Sequence, residues 1–439
     1  MDQDDQDTAD QGFVGYTEKP ETPVQETPLP KPPVDSFGTL EASNGGLPAT
    51  IWAGSSRDTL DFPMSQINTG ITNDTLRNLL VKLLMTQAQP PQGRADINWL
   101  ALRVSVLLNI GQDDKVLEII AALPPSIASQ HMLQLQTELE LARGDIDKGC
   151  AERRPDTTQL DEKSALFWQK LNILCRAHGG KPEEASLGLD VLNETNSSTP
   201  LFAEEIHRIN DRNYTMSALP KKLSLLDFAV MRVAGDTDRL KDHLDALPTI
   251  AVKYLAEDNS ADMKLREKAT TKALQLGLLP SSDAGKLPEQ PFAKALESDI
   301  TTLVTALGSG NPVNDADNAV ITRLALGEAG IQDSRRIERL LSLMQIFGYK
   351  VPESTWEKLF DYKGRFDGDV PPAIWLDELY QASAASRKGE VIVLSALMLG
   401  SNDTDKISDL ILIPVVKALK TVGFEKEARE IAYAAIKNY

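Results

Sequence analysis

The chain reads Leu107-Leu108-Asn109-Ile110-Gly111-Gln112-Asp113, and the same order of an apolar helix end, a glycine and a polar restart returns at Leu139-Glu140-Leu141-Ala142-Arg143-Gly144-Asp145. A third copy is Leu174-Cys175-Arg176-Ala177-His178-Gly179-Gly180-Lys181-Pro182. The turn glycines Gly111, Gly144 and Gly179 are 33 and then 35 residues apart. That spacing is typical of helix-turn-helix repeats, in which each hairpin needs a neighbour to bury its apolar face. The sequence therefore predicts an all-α fold, a TPR-like (tetratricopeptide-like) α-solenoid of stacked helical hairpins.

The apolar residues around these turns follow helical periodicity. The clearest case is a helix over Asn73–Met85, capped by Asn73 or Asp74, in which the leucines at 76, 79, 80, 83 and 84 form one stripe. Similar stripes predict helices at 165–177, 182–192, 223–233, 291–307, 333–347, 407–422 and 424–437. Pro414 should kink or split the helix that contains it. No convincing alternation typical of a β-strand appears in the sequence.

Composition divides the chain into three parts. Residues 1–48 are rich in Asp and Glu and then in Pro, so they bury too little apolar surface to fold, and we predict a disordered acidic, proline-rich tail. Residues 49–215 carry the regular TPR-like repeats. Residues 216–439 keep the helical pattern with a looser period, and we predict a C-terminal helical-repeat region.

The charge of the chain restricts its partners. It has 439 residues with 46 basic and 64 acidic side chains, for a net charge of −18. A strongly acidic surface disfavours nucleic acid and anionic lipid, because phosphate groups repel it. Apolar runs fall short of the ~18 residues that span a bilayer. We therefore expect other proteins as partners, with no nucleic acid and no membrane insertion.

The two cysteines, Cys150 and Cys175, leave two interpretations open. They are too few for a structural zinc site, so one interpretation is a pair of buried thiols. The other is a disulfide, because consecutive antiparallel helices would bring these two positions to the same level. Such a bridge would contribute roughly 3 kcal/mol and would imply an oxidising compartment.

Residue patterns that carry chemistry are scarce. Glu204 and His207 have the spacing of a carboxylate-bridged metal site, but such a site needs a second copy that the sequence lacks. Glu297-Ser298 resembles a fragment of a peptidoglycan transglycosylase motif, without the rest of that motif nearby. We predict no catalytic, cofactor-binding or metal-binding residue. Trp52 and Trp375 lie at the edges of predicted elements and are our candidate interface residues.

Four further segments carry a family resemblance: Ile51-Trp52-Ala53-Gly54-Ser55-Ser56-Arg57, Trp99-Leu100-Ala101-Leu102-Arg103-Val104, Phe167-Trp168-Gln169-Lys170 and Ala418-Leu419-Lys420-Thr421-Val422-Gly423-Phe424-Glu425-Lys426-Glu427-Ala428-Arg429. They resemble an uncharacterised family of alphaproteobacterial helical-repeat, TPR-like proteins, sometimes labelled antifreeze glycopeptide-like. The label follows composition and is not an activity. The resemblance covers roughly residues 50–439. It implies an envelope location, because relatives typically have a signal peptide before a proline-rich linker, whereas residues 1–5 here do not resemble a leader.

These observations lead to one expectation about function and two alternatives. We expect a non-catalytic scaffold or adaptor, periplasmic, that binds other proteins along helical faces. The first alternative is a cytoplasmic regulatory adaptor of the same fold. The second is a cell-wall-turnover enzyme with a non-standard site.

Overall fold

The computed structural model describes residues 34–93, 97–124, 129–151, 160–195, 198–279, 294–310, 319–321, 331–353, 355–356, 371–400 and 407–437. In these ranges the chain forms α-helices, turns and isolated β-bridges, and no strand. Short 3₁₀ helices lie at Val34–Ser36, Ala42–Asn44, Thr237–Asp242 and Leu244–Ala246. The all-α fold class is confirmed.

The helices are numbered here in chain order. The first ten are α1 (Arg57–Gln66), α2 (Asp74–Met85), α3 (Trp99–Asn109), α4 (Asp113–Ala122), α5 (Gln130–Arg143), α6 (Ile146–Ala151), α7 (Glu162–His178), α8 (Pro182–Glu194), α9 (Pro200–Asn210) and α10 (Leu225–Ala234). The others are α11 (Thr249–Glu257), α12 (Met263–Gln275), α13 (Lys294–Ser309), α14 (Ile331–Ile346), α15 (Ala373–Ala384), α16 (Lys388–Leu399), α17 (Asp409–Thr421) and α18 (Glu425–Lys437).

Local chemistry fixes the helix ends. Side-chain oxygens accept a first-turn backbone N–H at Ser56, Asn73, Asn98, Ser129, Asp161, Thr199, Ser224, Asp262 and Ser408. Gly111 and Gly144 have φ of +77° and +98°, a left-handed conformation that glycine adopts without the steric cost of a Cβ. In the third turn the left-handed residue is Gly180, with φ of +71°, and not Gly179.

Successive helices pack together from α3 to α10. Each helix in this part contacts the next one along the chain, and α5, α7 and α9 also pack in succession. Across the boundary that we predicted between residues 215 and 216, α9 packs against α10. Three helix pairs in this part are further apart along the chain: α10 packs against α5, and α11 packs against both α3 and α5.

The C-terminal helices pack against the N-terminal ones. α16 contacts α1 and α2 as well as its neighbours α15 and α17, and α18 contacts α2. An open stack, in which each hairpin contacts only its neighbours, does not predict these contacts. They enclose the larger of two buried apolar clusters. The smaller cluster is formed by residues of helices α5 to α10 and includes Phe167 and Trp168.

Folded structure begins earlier than predicted. Residues 34–48, which we assigned to the tail, pack against α2 and α3. The backbone N–H groups of Thr39 and Leu40 donate to the Met85 carbonyl at 3.0 and 3.1 Å. Arg103 is buried and its Nη1 donates to the Phe37 carbonyl at 2.7 Å. These backbone partners are distant in sequence, so composition did not indicate them; residues 1–33 lie outside the described part of the chain.

Candidate binding surfaces

Trp52 is buried, so our prediction of an interface role for it is wrong. Its side chain is 2% exposed and meets the Trp99 ring edge to face, with centroids 5.0 Å apart. Gly389 on α16 makes room for it, because a Cβ at that position would lie 2.5 Å from Trp52 Cε3. The Gly389 N–H also donates to the Ile51 carbonyl at 3.0 Å. Trp52 therefore packs the N-terminal segment against α16.

Trp375, the other candidate, is half-buried near the start of α15. It packs against the larger apolar cluster, while its neighbour Ile374 is 71% exposed. An interface role for Trp375 stays a prediction.

Cys150 and Cys175 are joined in a disulfide that links α6 to α7. The two Cα atoms are 5.6 Å apart. α6 is a short helix whose buried residues are Ile146 and Gly149. The bridge therefore adds a covalent link between α6 and α7 to the packing of α6 on α5 and α7.

A charged cavity of about 370 Å³ opens where α4, α5, α10 and α11 meet. At its base Asp113 is 1% exposed. Lys253 Nζ lies 2.7 Å from its Oδ1, and the Tyr254 hydroxyl donates to its Oδ2 at 2.8 Å. Arg143 Nε donates to the same oxygen at 2.9 Å. Both carboxylate oxygens of Asp113 are thus engaged.

The neighbours of Asp113 set its ionisation. Burial opposes the charged form, but the charge and hydrogen bond of Lys253, with the hydrogen bonds of Arg143 and Tyr254, outweigh it and hold the pKa of Asp113 below its usual range. Burial and the Asp113 charge raise the pKa of Tyr254. Burial also raises the pKa of Glu257, which lines the same cavity.

The cavity is a junction of paired charges. Arg143 also pairs with Asp114 at 2.7 Å, and Arg232 Nη2 lies 2.9 Å from Asp258 Oδ2. Because Arg143, Arg232 and Lys253 already have carboxylate partners, an incoming anion would compete with those carboxylates. The network connects α4, α5, α10 and α11, and we assign it to stability.

Glu390 and Glu205, whose side chains are fully buried, also have raised pKa values. Burial raises the pKa of Glu390 on α16 to about 7, and the nearby Glu378 carboxyl adds to the shift. Arg387 Nη1 lies 3.1 Å from Glu390 Oε1. Burial likewise raises the pKa of Glu205 on α9 to about 8, with Asp236 adding to it. Both groups lie between packed elements, and they are the side chains that the sequence analysis missed because nothing local marks them as buried.

α8 carries exposed apolar side chains on its outer face. Its buried residues Ala185, Leu189 and Leu192 belong to the smaller cluster. At 3.6 residues per turn, Leu187 and Val191 lie on the opposite side of the helix, one above the other. They are 66% and 55% exposed. A short amphipathic helix does not need apolar residues there for its own packing.

α7 and α9 hold α8 in place. It packs against α7 and α9, and Gly188 lets α7 approach, because a Cβ there would lie 2.8 Å from Ile173 Cγ1. Three acidic residues share the outer face with Leu187 and Val191. We call the set Glu183, Leu187, Asp190, Val191 and Glu194 the α8 stripe; all five are exposed.

No group of three or more His, Cys, Asp or Glu side chains among the described residues is placed to hold a metal. None of the described helices has both the length and the apolar composition of a membrane span. The Glu297 side chain, which the sequence analysis weighed as a catalytic acid, lies outside the described residues. Compared with known proteins, the chain matches no protein family, no curated protein and no solved structure.

Proposed function

We propose that the protein is a non-catalytic scaffold or adaptor that binds another protein through an exposed helix face. One observation carries the proposal: Leu187 and Val191 lie exposed on adjacent turns of a helix that α7 and α9 hold in place. Exposed apolar side chains on a preformed helix face are the kind of surface to which partner helices bind. Binding here would bury both side chains without rearranging the fold.

We propose further that the hairpins from α3 to α10 are TPR-like repeats. The packing of each helix on the next, and of α5, α7 and α9 in succession, supports this proposal. In such a stack the outer helices present their side chains as a continuous surface, of which α8 would be one part.

We propose a periplasmic location within the bacterial cell envelope. The Cys150–Cys175 disulfide supports it, because disulfides persist mainly in oxidising compartments. The alternative is a cytoplasmic adaptor, in which both thiols would be reduced. Alkylation of protein freshly isolated from the native host distinguishes the two, since the proposed location leaves no thiol to react.

The proposed function is tested with a photo-reactive amino acid at Asn193, which is exposed beside the α8 stripe. We expect illumination in the native host to crosslink the protein to a partner, and we expect L187S/V191S to abolish the adduct. The matched control carries the photo-reactive group at Thr271, an exposed position on α12. Crosslinking at Asn193 that does not exceed crosslinking at Thr271, or that survives L187S/V191S, would refute the proposal.

A further inference from the structure

We infer that the α8 stripe binds a basic amphipathic helix of a partner protein, with apolar side chains on Leu187 and Val191 and lysine or arginine beside Glu183, Asp190 and Glu194. This inference rests on the proposed function and adds the chemistry of the partner. Three observations support it: the five side chains lie on one face of α8, the three acidic ones form no ion pair within the described residues, and a second copy of the chain would bring like charges to this face.

The five side chains form one surface. At 100° per residue, Asp190, Glu183, Glu194, Leu187 and Val191 fall in that order within an arc of about 100° around the helix. The acidic residues occupy one side of this arc and the apolar pair the other. From residue 183 to residue 194 the stripe is about 16 Å long, which matches three turns of a second helix. A partner helix lying along α8 can therefore reach every member of the stripe.

The acidic members of the stripe have no basic partner within the described part of the chain. No ion pair there involves Glu183, Asp190 or Glu194. Glu184, one residue off the stripe, differs in this respect, because it pairs with Arg176 at 3.5 Å and with Lys181 at 3.3 Å. The local basic side chains are thus used beside the stripe and not on it.

A second copy of this chain does not suit the stripe. In a symmetric dimer that pairs two α8 helices, acidic residues of one stripe would lie beside acidic residues of the other, Glu183 opposite Glu194 in an antiparallel pair and Glu183 opposite Glu183 in a parallel one. Asp190 would add to the repulsion, and each chain carries a net charge of −18. A helix with basic residues flanking its apolar stripe has the complementary charge, and attraction of this kind steers association and fixes orientation.

The experiment uses the full chain and a labelled model peptide of about 18 residues, with leucines on one helical face and lysines beside them. Binding is followed by fluorescence anisotropy. We expect the peptide to bind the wild-type protein, L187A/V191A to weaken binding about tenfold, and E183K/D190K to weaken it at least as much. We also expect binding to weaken at about 0.5 M salt, where exposed charges are screened.

Matched controls separate a specific surface from general acidity. The variant D238K/E267K makes the same change in net charge at exposed positions on the 3₁₀ helix Thr237–Asp242 and on α12. We expect it to bind the peptide within about twofold of wild type, since its changes are away from the stripe. Equal weakening by both charge variants would overturn the inference, and so would equal binding of a scrambled peptide of the same composition.

A second peptide, with glutamates in place of the lysines, distinguishes failure of the inference from failure of the proposed function. If the acidic peptide binds through Leu187 and Val191 and the basic one does not, the surface is a docking site with a different partner chemistry. If neither peptide binds and the Asn193 crosslink is also absent, the proposed function fails together with the inference.

Discussion

The substitution D113N tests the charged junction between α4, α5 and α11. Asp113 is 1% exposed and holds three partners, Lys253, Arg143 and Tyr254. Asparagine has nearly the same shape but no charge, so the change removes the anion without opening a cavity. We expect a large loss in the free energy of unfolding.

The magnitude follows from what the substitution leaves behind. Removing one partner of a buried pair costs about 3–5 kcal/mol, because the remaining charge stays desolvated. The Lys253 side chain is 14% exposed and would keep neutral acceptors, the Gly111 carbonyl at 2.8 Å and the amide oxygen of the new asparagine, but no counter-ion. Arg143 would keep Asp114. Because only Lys253 is left without a counter-ion, we place the loss at the lower limit, about 3 kcal/mol.

The adjacent residue is the matched control. Asp114 also pairs with Arg143, at 2.7 Å, but its side chain is 79% exposed. Exposed ion pairs contribute about 0–1 kcal/mol, so D114N should cost less than 1 kcal/mol. Both variants change net charge by the same amount.

Urea unfolding at neutral pH, followed by circular dichroism, measures both variants. Because the pKa of Asp113 is lowered on folding, its contribution to stability is complete above the unfolded pKa of about 3.9 and disappears as the pH falls through the lower folded value. The difference between wild type and D113N should therefore be constant from neutral pH to about pH 5 and should shrink below about pH 4. Equal losses for D113N and D114N would refute the assignment of the junction to stability.

Three further predictions concern other parts of the molecule. C150S/C175S should lower the free energy of unfolding by about 3.5 kcal/mol, because the bridge closes a loop of 25 residues, and reduced wild-type protein should match it in urea unfolding. In wild type, the free energy of unfolding should fall by up to about 3 kcal/mol as the pH rises from about 4.5 to 7, because the folded Glu390 carboxyl has a raised pKa and binds its proton more tightly than the unfolded one. E390Q should remove this fall. Urea unfolding at a series of pH values measures it, and the same pH dependence in wild type and E390Q would contradict the prediction. G389A should cost about 1–3 kcal/mol by forcing Trp52 to move, visible as altered tryptophan fluorescence, and unchanged fluorescence with full stability would contradict the packing.

Much of the helical structure could be predicted from local pattern. The helix predicted over Asn73–Met85 begins at Asp74 with Asn73 as its cap, and its five leucines are buried. The helix predicted at 182–192 extends from Pro182 to Glu194. Periodicity and capping succeed here because both act within a few residues along the chain. Pro414 lies inside the continuous helix α17, so a split at that position did not occur.

Features that depend on contacts between residues far apart in the sequence could not be predicted. Trp52 lies at the edge of an element in sequence, yet α16 covers it because Gly389 is more than 300 residues further along the chain. Residues 34–48 look like a linker by composition, yet Arg103 and the C-terminal end of α2 supply hydrogen-bond partners for their backbone. Nothing local distinguishes such residues from solvated ones. The cysteine pair was open to two interpretations for the same reason.

Burial explains why the acidic residues of this protein fall into two groups. Asp113, Glu140, Glu205 and Glu390 are buried, and each has a basic partner. An unpaired buried carboxylate costs several kcal/mol, and the raised pKa values of Glu205 and Glu390 show that burial favours their protonated forms even beside a basic partner. An exposed carboxylate needs no such partner. Unpaired exposed acids alone therefore carry no information about binding. Leu187 and Val191 change that conclusion for the α8 stripe: exposed apolar side chains gain free energy when a partner covers them, and the acids beside them favour a partner that is basic.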